Sequence, residues 1–367
     1  MSGIKELLRH YDGFDFDAFF NNLTLKDVDR VLAKDRLVPE DYLTLLSPVA
    51  VGRLEEMAQR AQADTIKHFG RTIQLFAPIY VSNYCINTCV YCGFNHDNEF
   101  ARRHLSLDEV DKEARVISQM GLKHILLLTG EHPTKSTVHY MGDCVRVLKR
   151  YFSCISVEVY ALTEAEYRQL IEAGVDGMTM YQEVYQKDLY RPLHPSGPKK
   201  DYLFRLDAPE RACQAGMRTV TLGALLGLAP WRQESFFTGL HAAYLQSRYP
   251  AADIQVAPPR LRPCHGGFQA ISPVSDADLV QYILAYRIFM PHSGITVSTR
   301  ERSELRDQLI RLGVTRMSAG VSTAVGGYSD KKEEGQFELA DERGVEEIRM
   351  MLKNNGYQPV FQDWHYL

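Results

Sequence analysis

Cys85, Cys89 and Cys92 fall within eight residues, in the run Tyr84-Cys85-Ile86-Asn87-Thr88-Cys89-Val90-Tyr91-Cys92-Gly93-Phe94. This C-x3-C-x2-C spacing puts three thiolates on one short loop. A [4Fe-4S] cube normally takes four cysteines, so a loop that supplies three leaves one iron open to a small molecule, and an open iron means chemistry rather than scaffolding. A zinc site completed by His96, or three incidental buried thiols, are the alternatives. Structural zinc draws on two separated ligand pairs, because one tight loop closes a tetrahedron poorly. The spacing therefore favours the cluster.

Further groups could act beside it. Thr129-Gly130-Glu131 offers a carboxylate able to hold a cationic amine, with Gly130 permitting close backbone approach; read plainly, it is a turn with an exposed acid. Glu158 sits inside the apolar run Val157-Glu158-Val159-Tyr160, where it either accepts hydrogen bonds from hydroxyls such as those of a ribose or faces water. Tyr181-Gln182-Glu183 and the segment from Tyr190 to Pro195 are cofactor or cluster-loop contacts. Arg260, Arg262 and Arg300 carry planar forks suited to gripping a carboxylate at two points. Alone, either arginine segment reads as a structural ion-pair partner; at a strand end facing the other groups, Arg300 reads as a substrate anchor.

The elements that must position these groups alternate regularly. Residues 4–70 have helical periodicity, with Thr24 as an N-cap. Short apolar runs follow at 73–81, 124–129, 155–161, 177–181, 219–225, 253–257, 294–298 and 316–319, separated by amphipathic helical stretches. Several helices open on a capping pair, Ser106 with Glu109 or Thr163 with Glu166, and several close at Gly121, Gly174, Gly216 or Gly313. Eight such alternations predict a parallel (β/α)8 TIM-like barrel, with residues 1–70 as a helical extension and 71–367 as the barrel with a C-terminal extension. An open doubly wound sheet is the competing arrangement. In a barrel, reactive groups gather at the C-terminal ends of strands, which is where the cysteines, Glu131, Glu158, Glu183 and Arg300 all fall.

The cysteine spacing resembles the signature of the radical S-adenosylmethionine (SAM) superfamily. There the open iron binds the amino and carboxylate groups of SAM, and reductive cleavage yields a 5′-deoxyadenosyl radical that removes a hydrogen atom from the substrate. The wider set Tyr91-Cys92-Gly93-Phe94, Thr129-Gly130-Glu131-His132, Tyr181-Gln182-Glu183, Leu261-Arg262-Pro263-Cys264, Ser298-Thr299-Arg300-Glu301, Ser318-Ala319-Gly320 and Asp363-Trp364 is similar to the aromatic amino acid lyases of that superfamily. Within them it resembles the thiamine-pathway tyrosine lyases, the 2-iminoacetate synthases. The resemblance implies cleavage of the Cα–Cβ bond of L-tyrosine to 2-iminoacetate (dehydroglycine) and p-cresol, with a nitrogen-centred substrate radical that fragments. It implies Cys85, Cys89 and Cys92 as cluster ligands, and Gly130, Glu131, Glu158, Gln182 and Glu183 as SAM contacts. Tyr80 would contact the substrate amine, Arg300 its carboxylate, and Ser318 would assist. It also implies a one-electron donor such as flavodoxin or ferredoxin and a thiazole synthase that accepts the product. His265 departs from the smaller hydroxyl residue common at its place, and Cys264 reads as packed.

Competing functions are a tryptophan lyase and a hydrogenase-maturation tyrosine lyase. The latter resembles the chain around Arg191-Pro192-Leu193-His194-Pro195 but carries further cysteines, whereas none follows Cys264 here. From another class, the chain would be a non-catalytic iron–sulfur or zinc-binding module. Composition narrows the rest. At 367 residues, 45% hydrophobic and 24% charged, the chain reads as an ordinary globular protein. A net charge of −4 without a basic block argues against nucleic acid. No signal stretch and no run of ~18 apolar residues occurs, so no membrane partner and a cytoplasmic location are expected. Seven cysteines, an odd number, argue against a disulfide framework; Cys144, Cys154 and Cys213 read as buried small hydrophobes.

Overall fold

The nearly unbroken apolar segment TIQLFAPIYVS forms the first strand, β1 (Thr72–Ser82), of the computed structural model, which describes residues 3–330 and 335–362. Such runs suit strands buried on both faces. Seven more follow: β2 (His124–Thr129), β3 (Cys154–Glu158), β4 (Gly177–Glu183), β5 (Thr219–Ala224), β6 (Asp253–Val256), β7 (Gly294–Val297) and β8 (Arg316–Ser318). Each pairs in parallel with the next. Both β2 and β8 pair with β1, through Ala77–Ile125 and Gln74–Arg316 among others, so the sheet closes into an eight-stranded barrel. That closure excludes the open doubly wound alternative.

A short ninth strand, β9 (Gln358–Val360), runs parallel to Thr72–Gln74 of β1. It was not expected from the sequence. Gln74 is paired with both Arg316 and Val360, so β9 takes the overhang of β1 below β2. The Asp363-Trp364 pair lies outside the described residues.

Helix boundaries follow the caps. The Ser106 backbone N–H donates to Glu109 Oε2 at 2.8 Å and that of Thr163 to Glu166 Oε2 at 2.7 Å, completing two capping boxes. Gly174, at φ 113°, closes the helix Glu164–Ala173 in the left-handed conformation that favours glycine. The N-terminal helices share the barrel's apolar core. Tyr42, in the helix Pro39–Leu45, stacks on Phe289 at 4.6 Å and donates to Ser235 O at 3.0 Å. The Gln281 amide donates to Leu45 O and Ser47 O at 2.9 and 2.8 Å. Among the described residues, no helix is long and apolar enough to cross a membrane.

Candidate active site

Side chains alternate across a strand, and that period decides which groups meet. Tyr80 of β1, Ser156 and Glu158 of β3, Thr179 and Tyr181 of β4, Thr296 of β7, Ser298 just beyond it and Ser318 of β8 all face a cavity in the barrel interior. It opens upward into a second space lined by Cys85, Cys89, Cys92, Gly130, Glu131 and Glu183. Tyr80, Glu158, Tyr181 and Arg300 border both. The sequence left Glu158 undecided between water and the barrel mouth; it lies on the inner face. Gln182 does not. Period two places it on the opposite face of β4 from Tyr181 and Glu183; it is 3% exposed, lines neither space, and its amide atoms have no hydrogen-bond partner. The reading of Gln182 as a cofactor contact is corrected accordingly.

The cysteine loop is held by its backbone. Ile86 N donates to Glu131 O at 2.8 Å, Val90 N to Leu193 O at 3.2 Å and Thr88 N to Ser196 O at 3.3 Å. Asn87 ties three pieces together: its Nδ2 donates to Glu131 Oε2 at 2.6 Å and reaches Cys85 Sγ at 3.6 Å, while its Oδ1 accepts from Lys199 N at 2.9 Å. The Arg102 guanidinium gathers the loop's exit by donating to the carbonyls of Asn83, Phe94 and Asn95 at 2.7, 3.0 and 2.5 Å. Burial leaves His194 neutral, with its pKa lowered to about 3. Its Nδ1 meets Tyr190 O at 2.8 Å and must be the donor, so Nε2 accepts from the Tyr91 hydroxyl at 2.6 Å. The segment around His194 is thus a cluster-loop contact, one of the two roles its sequence suggested.

Gly130 acts on this loop. A Cβ there would sit 2.3 Å from Tyr84 O and 3.1 Å from Cys85 Cβ, so the glycine lets β2 press against the backbone that carries the first cysteine. Gly130→Ala is expected to displace the loop and cut iron and sulfide uptake on reconstitution by more than half, with far-ultraviolet circular dichroism unchanged. Full uptake would show that the loop yields without cost.

Glu183 has φ +70°, the one left-handed non-glycine among the described residues, at a bulge where Tyr181 and Glu183 pair with successive residues Gly223 and Ala224. Its carboxylate pairs with Lys199 at 2.6 Å and Arg205 at 3.5 Å. Burial raises its pKa, but those two cations outweigh burial and hold it below the ordinary range. Glu131 is shifted upward, chiefly by burial.

Across the cavity, Arg300 lies flat on Phe337, 3.6 Å from the ring centroid, and its Nη1 donates to Arg260 O at 3.4 Å. It forms no ion pair with a carboxylate among the described residues. Arg260, by contrast, is consumed by Glu301 and by Asp276 at 2.8 Å. Tyr80 donates to Gln336 Oε1 at 3.0 Å, and the Gln336 amide reaches Cys92 Sγ at 3.8 Å. Ser318 Oγ accepts from Thr299 N at 3.1 Å, which ties β8 to the loop bearing Arg300. Cys264 donates its thiol to Tyr91 O at 3.3 Å, and His265 packs 5.8 Å from Phe100, away from the cavity lining.

Burial raises the Glu158 pKa from 4.5 to about 7, with Arg300 opposing it. The folded chain therefore keeps a proton that the unfolded chain has lost, and stability falls as pH rises from about 4.5 through 7. Glu158→Gln is expected to raise the stability of the iron-free protein at pH 8 by on the order of 2 kcal/mol, a gain that shrinks toward pH 5 in urea titrations. A pH-independent difference would place this carboxyl in water.

The donor set fits an iron–sulfur cluster. Three soft thiols border one space, and burial raises the Cys89 thiol and pushes the Cys92 thiol up to about 12. The His96 Nδ1 lies 3.2 Å from Cys85 O.

Residues 79–231 match the Radical SAM superfamily and residues 258–358 the Biotin and Thiamin Synthesis associated domain. The chain is 39% identical over 366 residues to 2-iminoacetate synthase of Escherichia coli (strain K12), covering 99% of this chain and 97% of that protein. It belongs to the 2-iminoacetate synthase family. The Salmonella typhimurium member is 37% identical over the same share of each chain. Among solved structures, the [FeFe]-hydrogenase maturase HydG from Carboxydothermus hydrogenoformans superposes with a TM-score of 0.90 at 30% identity, covering 98% of this chain and 86% of that one. As in the radical SAM superfamily generally, members of the 2-iminoacetate synthase family use a [4Fe-4S] cluster and SAM, and this chain does so by membership.

Several residues of the site escaped the sequence reading. Asn87 lay in view between two cysteines, but an asparagine there also reads as a turn residue. Lys199, Arg205 and Gln336 are brought in by segments remote in sequence, and no local spacing marks them.

Proposed function

We propose that the protein cleaves the Cα–Cβ bond of L-tyrosine to 2-iminoacetate and p-cresol, converting SAM to 5′-deoxyadenosine and methionine and supplying part of the thiazole of thiamine. One observation carries the reading furthest: Arg300, braced on Phe337 without a carboxylate partner among the described residues, faces the cavity that the cysteine loop roofs. When bound, the cluster and SAM supply reductive cleavage and hydrogen-atom abstraction.

The chain's own residues do the positioning. Cys85, Cys89 and Cys92 hold the cluster, while Gly130, Glu131 and Glu183 border the space for SAM, with Glu158 at its boundary with the substrate. Arg300 holds the substrate carboxylate, and Tyr80, fixed by Gln336, aims the amine; Ser318 keeps the Arg300 loop on β8. Atom abstraction requires reacting atoms about 3–3.5 Å apart, so this fixing of both ends of the amino acid is what the chemistry needs. The hydrogenase-maturation reading draws on structural likeness at 30–32% identity to longer chains, of which this one covers 79–86%, and has less support.

A one-electron donor of the flavodoxin or ferredoxin kind serves as reductant, and a thiazole synthase that takes up 2-iminoacetate before water does is the natural acceptor, in the cytoplasm. Offering tyrosine and tryptophan in parallel to the reconstituted protein tests the reading: p-cresol from tyrosine supports it, and turnover of tryptophan alone overturns it.

A further inference from the structure

Interior layers of (β/α)8 barrels are filled mainly by bulky branched side chains. Part of the interior here is not. Ser156, Thr179, Thr221 and Thr296, on β3, β4, β5 and β7, all line the inner cavity, and none of their hydroxyls hydrogen-bonds to another described residue. Thr179 and Thr221 are register partners, 8% and 5% exposed, and their oxygens open onto the cavity rather than being sealed in packing. Hydroxyls that open onto a cavity are met there by water or by a polar group of a ligand, and a ligand that displaces the water must replace its hydrogen bonds.

The floor beneath is polar as well. Gln74 meets His124 at 3.0 Å, and Arg316 donates to Gln255 at 2.9 Å. The walls include Phe76 and Leu126, so the slot is apolar at its sides and hydroxylic at its lower end. Ser156 lies two residues below Glu158 on β3 and Thr179 two below Tyr181 on β4, or roughly 6.6 Å along a strand, about the span from the α-carbon of a tyrosine to its phenol oxygen.

We infer that Thr179 and Thr221, with Ser156 and Thr296 beside them, receive the phenol oxygen of a 4-hydroxyphenyl substrate whose carboxylate is held by Arg300. The inference rests on the tyrosine reading above and deepens it by naming what selects the ring. A site built to bond a substrate hydroxyl rejects the analogue that lacks it, because its own polar groups are then left unpaired.

The test uses reconstituted holoenzyme, with p-cresol or toluene and 5′-deoxyadenosine as readouts for tyrosine and phenylalanine. Wild-type protein is expected to prefer tyrosine at least about a hundredfold in kcat/KM. Thr179→Val/Thr221→Val, which keeps shape and loses both hydroxyls, is expected to raise the tyrosine KM about tenfold or more and narrow that preference. Thr179→Ser/Thr221→Ser should restore both, which a merely structural role would not require. A valine double variant with unchanged KM and preference overturns the subsite while wild-type p-cresol formation upholds the tyrosine reading. Equal wild-type use of phenylalanine overturns it without any variant. A wild type that makes no p-cresol overturns the tyrosine reading and the subsite with it.

Discussion

Cys85→Ala protein, reconstituted anaerobically with iron and sulfide, is expected to keep its fold and to lose both the visible iron–sulfur absorption and all detectable SAM cleavage. The thiol is part-exposed at the cavity edge and accepts one long contact from Asn87, so removing it leaves no large void and little stability is at stake. Its chemical role has no substitute. Each of the three thiolates would hold a separate iron, and with two left the cube would have no stable seat on the loop. Cys264 also borders this space, but its thiol donates to the Tyr91 carbonyl and it lies outside the loop. Full activity in Cys85→Ala would sink the cluster assignment and every role that depends on it.

Arg300→Lys is expected to lower kcat/KM for tyrosine about a hundredfold, on the scale of losing a charge-assisted hydrogen bond of roughly 1.5–3 kcal/mol, while formation of 5′-deoxyadenosine continues without p-cresol. Lysine keeps the charge but loses both the fork and the flat stacking on Phe337. The carboxylate would then be held at one point, leaving the amine free to swing away from the reacting position. Unchanged tyrosine turnover with tight coupling would remove Arg300 from the substrate site. Arg260→Lys serves as the contrast: its guanidinium is occupied by Glu301 and Asp276, so its loss should appear in thermal stability before coupling.

The barrel was legible because strand and helix periods alternate with capping pairs at the helix starts, and Ser106 with Glu109 forms the expected box. The cysteine loop was legible because all its ligands lie in one short segment. Arg300 and Arg260 shared the same chemistry in the sequence, and only the fold assigned Glu301 to one and the cavity to the other. Gln182 was misplaced because the tripeptide was read as a unit, whereas strand period two sends alternate side chains to opposite faces. β9 is three residues long, too short to show a period. Gln336 meets Tyr80 across 256 positions, a contact set by barrel closure and by no local pattern. The four hydroxyls that line the cavity are likewise spread over four strands, one residue each.

The central claim is scission between the α- and β-carbons of tyrosine, and its most direct test is tyrosine carrying 13C at Cα and deuterium on the ring, given to reconstituted protein with SAM and a strong reductant. The account predicts deuterated p-cresol without 13C, 13C-labelled glyoxylate from hydrolysis of 2-iminoacetate, and 5′-deoxyadenosine in step with both. Deoxyadenosine without cresol, or both labels retained in one product, would contradict it.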